Sequence, residues 1–227
     1  MNFDISTFNV KKYDDILSKG LSKGLGNRES TMCIEAAICT VLDLPHSDNP
    51  QCVTNSVRAF KINLNDKNWS SNAARASGLR DLGLAQLGSL GVVNDKEFVT
   101  ILSKKVIQIL IPKLYRKLYP NKFVDLVNAC EILGDYDSIK KLAYAAAAAA
   151  ANAAANADAA ANAAANAAGN AGDAAYSAAY VAVDAAVDAN AAAYAAAAYA
   201  DEYLILVANL ALETLRELKS PGISLLG

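Results

Sequence analysis

The residues best suited to acid–base chemistry in this chain are its single histidine, His46, and Glu35, a carboxylate within an apolar stretch. Nucleophilic catalysis would use His46 as the base, with Ser30 or Ser47 as the nucleophile. The sequence has no G-x-S-x-G elbow or comparable motif that would present such a serine. These residues therefore favour a protein that is not an enzyme, and we predict no catalytic residue.

Glu35 lies in the run Met32-Cys-Ile-Glu-Ala-Ala-Ile, where a buried carboxylate needs a partner. The simplest partner is an arginine such as Arg58, and we favour this internal pair. The alternative is that Glu35, Arg58, Asp66 and the sole tryptophan, Trp69, border a pocket for a small ligand. A structural role explains most of the pattern at Asp66 and Trp69, because Asp66 suits a turn and Trp69 can anchor that turn on the core.

The loop Lys23-Gly-Leu-Gly-Asn-Arg-Glu-Ser-Thr precedes a predicted helix and could bind an anion through backbone N–H groups and Arg28. It lacks the G-x-x-x-x-G-K-[ST] pattern, so an ordinary loop followed by a helix cap is the preferred interpretation. The alternative is an enzyme or sequestering protein for a phosphorylated small molecule. Arg28 would then hold the phosphate, and Glu35 or His46 would act as acid or base.

The cysteines do not form a recognisable metal site. Cys33, Cys39, His46 and Cys52 follow one another at steps of 6, 7 and 6 residues, which match no usual zinc pattern. Together with Cys130 they are expected to be small, buried, reduced thiols. We predict no metal and no cofactor.

Positive charge is concentrated between residues 104 and 122. A solvated helix face is the simplest interpretation of this charge. The alternative is a surface for an acidic protein partner, formed by Lys105, Lys113, Arg116 and Lys117. Nucleic acid is disfavoured, because the whole chain carries a net charge of −2 and Tyr115 fits the apolar stripe of the same helix.

Start and stop signals predict helices throughout the first 142 residues. A proline, Pro112, should kink or split the fifth helix because it lacks an N–H and clashes with the preceding turn. Ser70 or Ser71 can cap the fourth. The predicted helices run from about Val10 to Leu21, Thr31 to Leu42, Pro50 to Ile62, Ser71 to Leu87, Asp95 to Leu118 and Phe123 to Leu133.

Beyond Leu142 the composition changes. Residues 143–200 consist mainly of Ala with Asn, Asp and Tyr, and alanine has the highest helix propensity. The chain carries 19 basic and 15 acidic residues up to Leu142 (+4), and 2 basic and 8 acidic residues after it (−6). We predict an all-α protein with two domains: a helical globular domain over 1–142, and an Ala-rich antiparallel helical hairpin with an apolar C-terminal helix over 143–227.

The sequence also argues against a membrane-spanning protein and a secreted one. No run of about 18 strongly apolar residues is present, so a membrane-spanning protein is not expected. The first residues lack the basic and apolar regions of a secretory signal, so the cytoplasm is the expected location.

Several motifs together resemble a family of phage and bacterial proteins to which no activity is assigned. The likeness covers nearly the whole chain, including an Ala/Asn/Tyr tract that ends in Leu218-Lys-Ser-Pro-Gly. The Ala-rich half is also similar, more loosely, to alanine-rich helical proteins described as immunity proteins. The resemblance rests on Lys23-Gly-Leu-Gly-Asn, Cys33-Ile-Glu-Ala-Ala, Leu42-Asp-Leu-Pro-His-Ser-Asp-Asn-Pro, Cys52-Val, Val57-Arg-Ala-Phe-Lys-Ile-Asn-Leu-Asn-Asp and Trp69-Ser-Ser.

The resemblance implies an accessory protein in the cytoplasm of a bacterial host. With the residues above, it favours a non-catalytic binding protein that inhibits or sequesters a partner, of the immunity or phage counter-defence type. The partner would be a protein or a small anionic ligand. A third possibility is a structural homo-oligomer in which alanine faces pair between copies.

Overall fold

The computed structural model describes residues 3–118, 121–135, 137–138, 141–142, 145 and 197–226. These residues confirm the all-α prediction: within them, extended pairing is limited to isolated bridges from Met32 to Leu21 and Gly26. The α-helices are α1 Val10–Leu17, α2 Ile34–Val41, α3 Asn55–Asn65, α4 Asn72–Ala85, α5 Asp95–Lys105, α6 Ile111–Leu118, α7 Val124–Leu133 and α8 Ala197–Glu217.

Helix starts follow from side chains that accept the first backbone N–H groups. Asn9 accepts from the N–H of Lys12 at 2.9 Å. Ser71 accepts from the N–H of Ala74 at 3.0 Å, which confirms the predicted cap of α4. All the helices predicted before residue 142 are present, with ends shifted by a few residues.

The largest shift is at α3, which begins at Asn55 rather than near Pro50. Thr54 is held in an extended conformation, and its N–H donates to the buried Ser89 hydroxyl at 3.0 Å. The carboxylate of Asp95 then accepts from the N–H of Ser56 at 2.8 Å and from the Thr54 hydroxyl at 2.7 Å. Contacts that are distant in sequence therefore set the start of this helix.

Pro112 changes the helix type instead of ending the helix. Five residues before α6, Val106–Leu110, form a π-helix, and the N–H of Ile111 donates to the carbonyl of Val106. The wider turn gives room for the proline ring, which would clash with the carbonyl four residues earlier in a regular α-helix. The predicted distortion is confirmed, in this form.

The chain divides into two compact units, Met1–Phe98 with Ala197–Gly227, and Val99–Ala196. They are called unit 1 and unit 2 below. This division differs from the predicted boundary at residue 142, because α8 belongs with the first 98 residues. Of the predicted Ala-rich hairpin domain over 143–227, residues 143–144 and 146–196 lie outside the described residues, and α8 occupies the place of its apolar C-terminal helix.

In unit 1, two glycines of α4 allow close packing. A Cβ at Gly83 would lie 2.0 Å from the hydroxyl of Tyr13, and a Cβ at Gly78 would lie 2.5 Å from the ring of Trp69. Trp69 is buried, and its indole N–H donates to the carbonyl of Leu64 at 3.0 Å, as expected for an anchor of this turn. Helix α8 also packs along α4, and Asp201 accepts from the N–H of Ser70 at 2.9 Å.

In unit 2, the described core consists of apolar side chains from α5, the π-helix, α6 and α7, among them Leu102, Val106, Leu114 and Val127. Helices α6 and α7 pack together, and the rings of Tyr115 and Phe123 meet edge to face at 6.5 Å. Across the described ranges of both units, none of the helices combines the length and apolarity needed to span a membrane.

Candidate functional site

The glycine-rich loop holds a carboxylate, but the carboxylate belongs to the chain itself. The N–H of Gly24 donates to Asp66 Oδ1 at 2.7 Å, and the same oxygen accepts from the side-chain amide of Asn65 at 2.9 Å. Backbone N–H groups in such a loop suit an anion. Asp66 therefore takes at least one of the donors that the sequence offered to a phosphate.

The other polar residues of this region tie loops together. Arg28 is exposed, and its Nη2 donates to the carbonyl of Leu44 at 2.6 Å. The Nε2 atom of His46 donates to the carbonyl of Gly26 at 3.2 Å. These two bonds fix the glycine-rich loop to the segment after α2, and neither residue is placed with Glu35.

A fully buried polar cluster, Glu35, Lys61 and Gln86, lies in the core of unit 1. Lys61 Nζ is 3.2 Å from Glu35 Oε1, and Gln86 Nε2 donates to Glu35 Oε2 at 2.9 Å. Three segments of the chain thus meet at one carboxylate: α2, α3 and the residue after α4. The expected internal pair of Glu35 is present, but its partner is Lys61 rather than Arg58.

Arg58 lies elsewhere on α3. Its Nη1 atom is 4.0 Å from Asp48 Oδ1, and its side chain is half-buried. The four residues proposed to border a pocket therefore have separate partners: Glu35 bonds Lys61 and Gln86, Arg58 faces Asp48, Asp66 bonds Gly24, and Trp69 bonds Leu64. Arg58 acts on Glu35 through its charge alone, which opposes the rise in the pKa of that carboxyl, and within the described residues no hydrogen bond or ion pair joins the two.

Burial dominates the electrostatics of the cluster. Removal from water raises the pKa of Glu35 and lowers the pKa of Lys61, since a charge is disfavoured in a low-dielectric core. Each partner opposes the shift of the other through its opposite charge. Within the described part of the chain, Gln86 Oε1 has no hydrogen-bond partner, and Lys61 Nζ and Glu35 Oε1 have none beyond the ion pair that joins them at 3.2 Å, so the cluster is incompletely satisfied.

The sequence alone did not identify Lys61 and Gln86 as the partners of Glu35. Lys61 lies four residues after Val57 and three before Leu64, both of which are fully buried. That spacing places the lysine on the apolar face of α3. It is the sequence pattern from which the burial of Lys61 could have been predicted. Gln86 follows the last turn of α4, where nothing in the sequence marks it as buried.

The four cysteines are buried and free, as expected. Burial raises the pKa of each thiol, and raises that of Cys33 to about 11. Thiols with such raised pKa values are poor nucleophiles at neutral pH. Over the described ranges, His, Cys, Asp and Glu side chains form no group of three or more able to hold a metal ion.

A second region is the exposed surface of α6 and α7 in unit 2, here called the α6–α7 face. The guanidinium of Arg116 on α6 is bonded to Glu131 and, at 3.1 Å, to Asn128 on α7. The side-chain amide of Gln108 donates to the carbonyl of Ile132 at 3.4 Å. The helices therefore run antiparallel. The exposed side chains of this region include Ile109 of the π-helix, Lys113, Arg116 and Lys117 of α6, and Val124, Asn128, Glu131, Ile132 and Leu133 of α7.

Four large apolar side chains of this region are exposed. Ile132 is 76% exposed, Leu133 55%, Val124 52% and Ile109 43%. Large apolar side chains exposed near charged ones are a feature of protein interaction sites. Lys113, Arg116 and Lys117 supply charge here, while Lys105, the fourth predicted partner-binding residue, is partly exposed at the end of α5.

Comparison with known proteins gives no relative: no family model matches the chain, and neither a curated protein nor a solved structure matches it significantly.

Proposed function

We propose that the protein is a non-catalytic binding protein that inhibits or sequesters a protein partner through the α6–α7 face. The observation that carries the proposal is that four large apolar side chains there are exposed, Ile132 at 76%. Exposing such groups to water is unfavourable by roughly 25 cal/mol for each Å². A partner that covers them recovers this free energy.

The contrast with unit 1 supports the same choice. The residues that the sequence offered for phosphate chemistry direct their polar atoms at the chain itself: Arg28 at the Leu44 carbonyl, His46 at the Gly26 carbonyl, and Asp66 at the Gly24 N–H. Glu35 is fully buried with Lys61 and Gln86. These contacts favour a structural role for the residues over the alternative of an enzyme for a phosphorylated small molecule.

The chain resembles phage and bacterial proteins and, more loosely, immunity proteins. This resemblance favours a partner protein that acts in the conflict between a phage and its bacterial host. Inhibition of an effector by occupation of its surface needs no catalytic group in the inhibitor. It needs an exposed and specific contact area, which the α6–α7 face would provide.

The proposal is tested by placing a photo-crosslinking amino acid at Leu133 in the full chain, expressed in bacterial cells. The matched control is the same amino acid at Leu90, because the two leucines are 55% and 56% exposed and Leu90 lies in unit 1. We expect one protein to be captured at Leu133 and not at Leu90. That protein, once purified, should bind the chain and lose its activity at one-to-one stoichiometry.

The proposal would be contradicted if both positions captured the same set of proteins, since that pattern indicates contact without specificity. It would equally be contradicted if the captured protein kept full activity when saturated with the chain.

A further inference from the structure

The buried cluster of Glu35, Lys61 and Gln86 brings together a nucleophile, a carbonyl carbon and a proton carrier. The three side chains come from α2, α3 and the residue after α4, and all three are completely buried. An amine that attacks the carbon of a carboxamide can displace ammonia and form a new amide. Lys61 provides the amine and Gln86 the carboxamide. The cluster therefore holds both reactants of a covalent bond within the chain itself.

Glu35 contacts the two nitrogen atoms whose protons must move in such a reaction. Its Oε1 atom is 3.2 Å from Lys61 Nζ, the nitrogen that has to lose a proton. Its Oε2 atom accepts a hydrogen bond of 2.9 Å from Gln86 Nε2, the nitrogen that has to gain a proton before it leaves. Because these contacts use the two oxygens of one carboxylate, the amine and the carboxamide are neighbours. A carboxylate in this position can carry a proton from one nitrogen to the other.

The two reacting groups have few other attachments. Within the described part of the chain, Lys61 Nζ has no partner beyond Glu35, and Gln86 Oε1 has no hydrogen-bond partner. No further bond of the amine therefore has to break for it to approach the carbon of the carboxamide. As negative charge develops on Gln86 Oε1 during the attack, the N–H groups of Lys61 can donate to it.

Burial also favours the protonation states that the reaction needs. Removal from water raises the pKa of Glu35 and lowers the pKa of Lys61, so the neutral acid and the neutral amine become accessible. Only the neutral amine has a lone pair with which to attack. Because all three residues are 0% exposed, the water that would compete by hydrolysing the carboxamide is excluded.

We infer that Lys61 and Gln86 condense to an isopeptide bond inside unit 1, with Glu35 as the proton carrier. Lys61 Nζ attacks Gln86 Cδ, and a new C–N bond forms. Nζ gives a proton to Glu35 Oε1, Glu35 Oε2 gives a proton to Gln86 Nε2, and the bond between Cδ and Nε2 breaks. Ammonia leaves, and Glu35 ends as the neutral acid that it was at the start. The balance needs no oxidant and no other reactant.

The bond would join α3 to the end of α4 and close the loop of chain between Lys61 and Gln86. Such a link restricts the unfolded chain in the way that a disulfide does. It also persists where thiols stay reduced, as the free, buried cysteines of this chain are expected to do. The reaction is separate from the α6–α7 face, so its failure would leave the proposed function untouched.

Mass spectrometry of the purified full chain tests the inference. The intact wild type should be lighter than its sequence requires by the mass of one ammonia molecule. Trypsin does not cut after a lysine whose amine is acylated, so the digest should contain a branched peptide that joins residues 59–67 to residues 81–96. A reducing agent should leave this peptide intact. The joined fraction should rise while the folded chain is incubated, and should not rise in denaturant.

Variants assign the roles within the cluster. Lys61→Arg keeps a cation but should have its full mass, whereas Lys19→Arg makes the same change on an exposed lysine and should lose ammonia as the wild type does. Gln86→Glu should lose one water molecule instead, because a carboxyl group condenses with an amine by releasing water. Glu35→Gln cannot carry the proton and should slow the joining by about a hundredfold or more. Thermal unfolding of each variant checks that it is folded.

Three results would overturn the inference. The first is a wild type of full sequence mass that trypsin cuts after Lys61, because the cluster would then be an ion pair and nothing more. The second is a loss of ammonia that persists in Lys61→Arg, since its source would then lie elsewhere in the chain. The third is joining that proceeds as fast in Glu35→Gln as in the wild type. The peptide map of the wild type decides the matter even if a variant fails to fold.

Discussion

Unit 1 and the described part of unit 2 use charged residues in opposite ways. In unit 1, Glu35 and Lys61 are completely buried and point at each other, and Asp66 is bonded to the chain's own backbone. In unit 2, the α6–α7 face carries exposed cations such as Lys113 and exposed apolar side chains such as Ile132. The comparison teaches that residues of catalytic type in the described part of unit 1 serve the architecture, and that the surface proposed to bind a partner is the less conspicuous one in the sequence.

The strongest test of the first half of this comparison is to break the buried ion pair. Lys61→Met should destabilise the protein by about 3–5 kcal/mol, because it leaves the carboxylate of Glu35 buried without a cation. The double variant Glu35→Gln/Lys61→Met should be less destabilised than Lys61→Met alone, because no unpaired charge remains. Denaturant unfolding measures both, with the exposed Lys19→Met as a control expected to change stability by no more than about 0.5 kcal/mol.

If the double variant loses as much free energy of unfolding as Glu35→Gln and Lys61→Met lose together, Glu35 and Lys61 act independently. The buried polar cluster would then not be the coupled unit described here.

The next largest effect concerns the contact between α1 and α4. Gly83→Ala should destabilise by about 1–3 kcal/mol, since the new methyl group would lie 2.0 Å from the hydroxyl of Tyr13. Removal of that hydroxyl opens the space but also removes its hydrogen bond to the Arg80 carbonyl, 3.2 Å long. Gly83→Ala should therefore be less harmful in a Tyr13→Phe background, where the remaining close contact is with Ile34 Cδ1 at 2.8 Å. Equal losses in both backgrounds, again from denaturant unfolding, would show that the contact with the Tyr13 hydroxyl is not the source of the cost.

A smaller effect is expected at the glycine-rich loop. Asp66→Ala removes the acceptor of the Gly24 N–H and should cost about 1 kcal/mol, and Asp66→Asn, which keeps an acceptor oxygen, should cost less. Hydrogen exchange should show faster opening of the loop in the alanine variant. If Asp66→Ala unfolds no more easily than the wild type but loses binding to the captured partner, Asp66 belongs to the functional surface and the comparison between the units is wrong.

The pH dependence of stability gives the finest test. Burial raises the pKa of Glu35 in the folded protein above its ordinary value of 4.5, so its contribution is fully present below that pH and is lost as pH rises through the folded pKa. The free energy of unfolding of Glu35→Gln should therefore lack this decline. Unfolding measured from pH 4.5 upward should show the two curves separating as pH rises, and parallel curves would mean that Glu35 has an ordinary pKa in the fold.

The sequence predicted the helices before residue 142 well, because apolar periodicity and caps such as Ser71 act over a few residues. It missed what depends on distant contacts. The start of α3 is set by Asp95 and Ser89, which lie more than 30 residues away. The extent of unit 1 is another case, since nothing local shows that α8 returns to pack on α4.

The candidate sites follow the same rule. That Glu35 needs a partner was evident from its apolar neighbours, but the choice of Lys61 over Arg58 depends on how α3 is rotated against α2. The basic residues of α6 were visible as a cluster. Their apolar neighbours on α7 were not, because Val124, Ile132 and Leu133 look in the sequence like ordinary core residues, and only the structure shows them exposed.

The central claim is that the α6–α7 face, and not the polar residues of unit 1, makes the functional contact. Calorimetric titration of the captured partner tests it most directly, with the wild type, Leu133→Asp, Leu90→Asp and Arg28→Ala/Arg58→Ala. The account predicts that Leu133→Asp weakens binding by at least about tenfold, while the other two variants bind as the wild type does. Loss of binding in Arg28→Ala/Arg58→Ala, with Leu133→Asp unaffected, would contradict it.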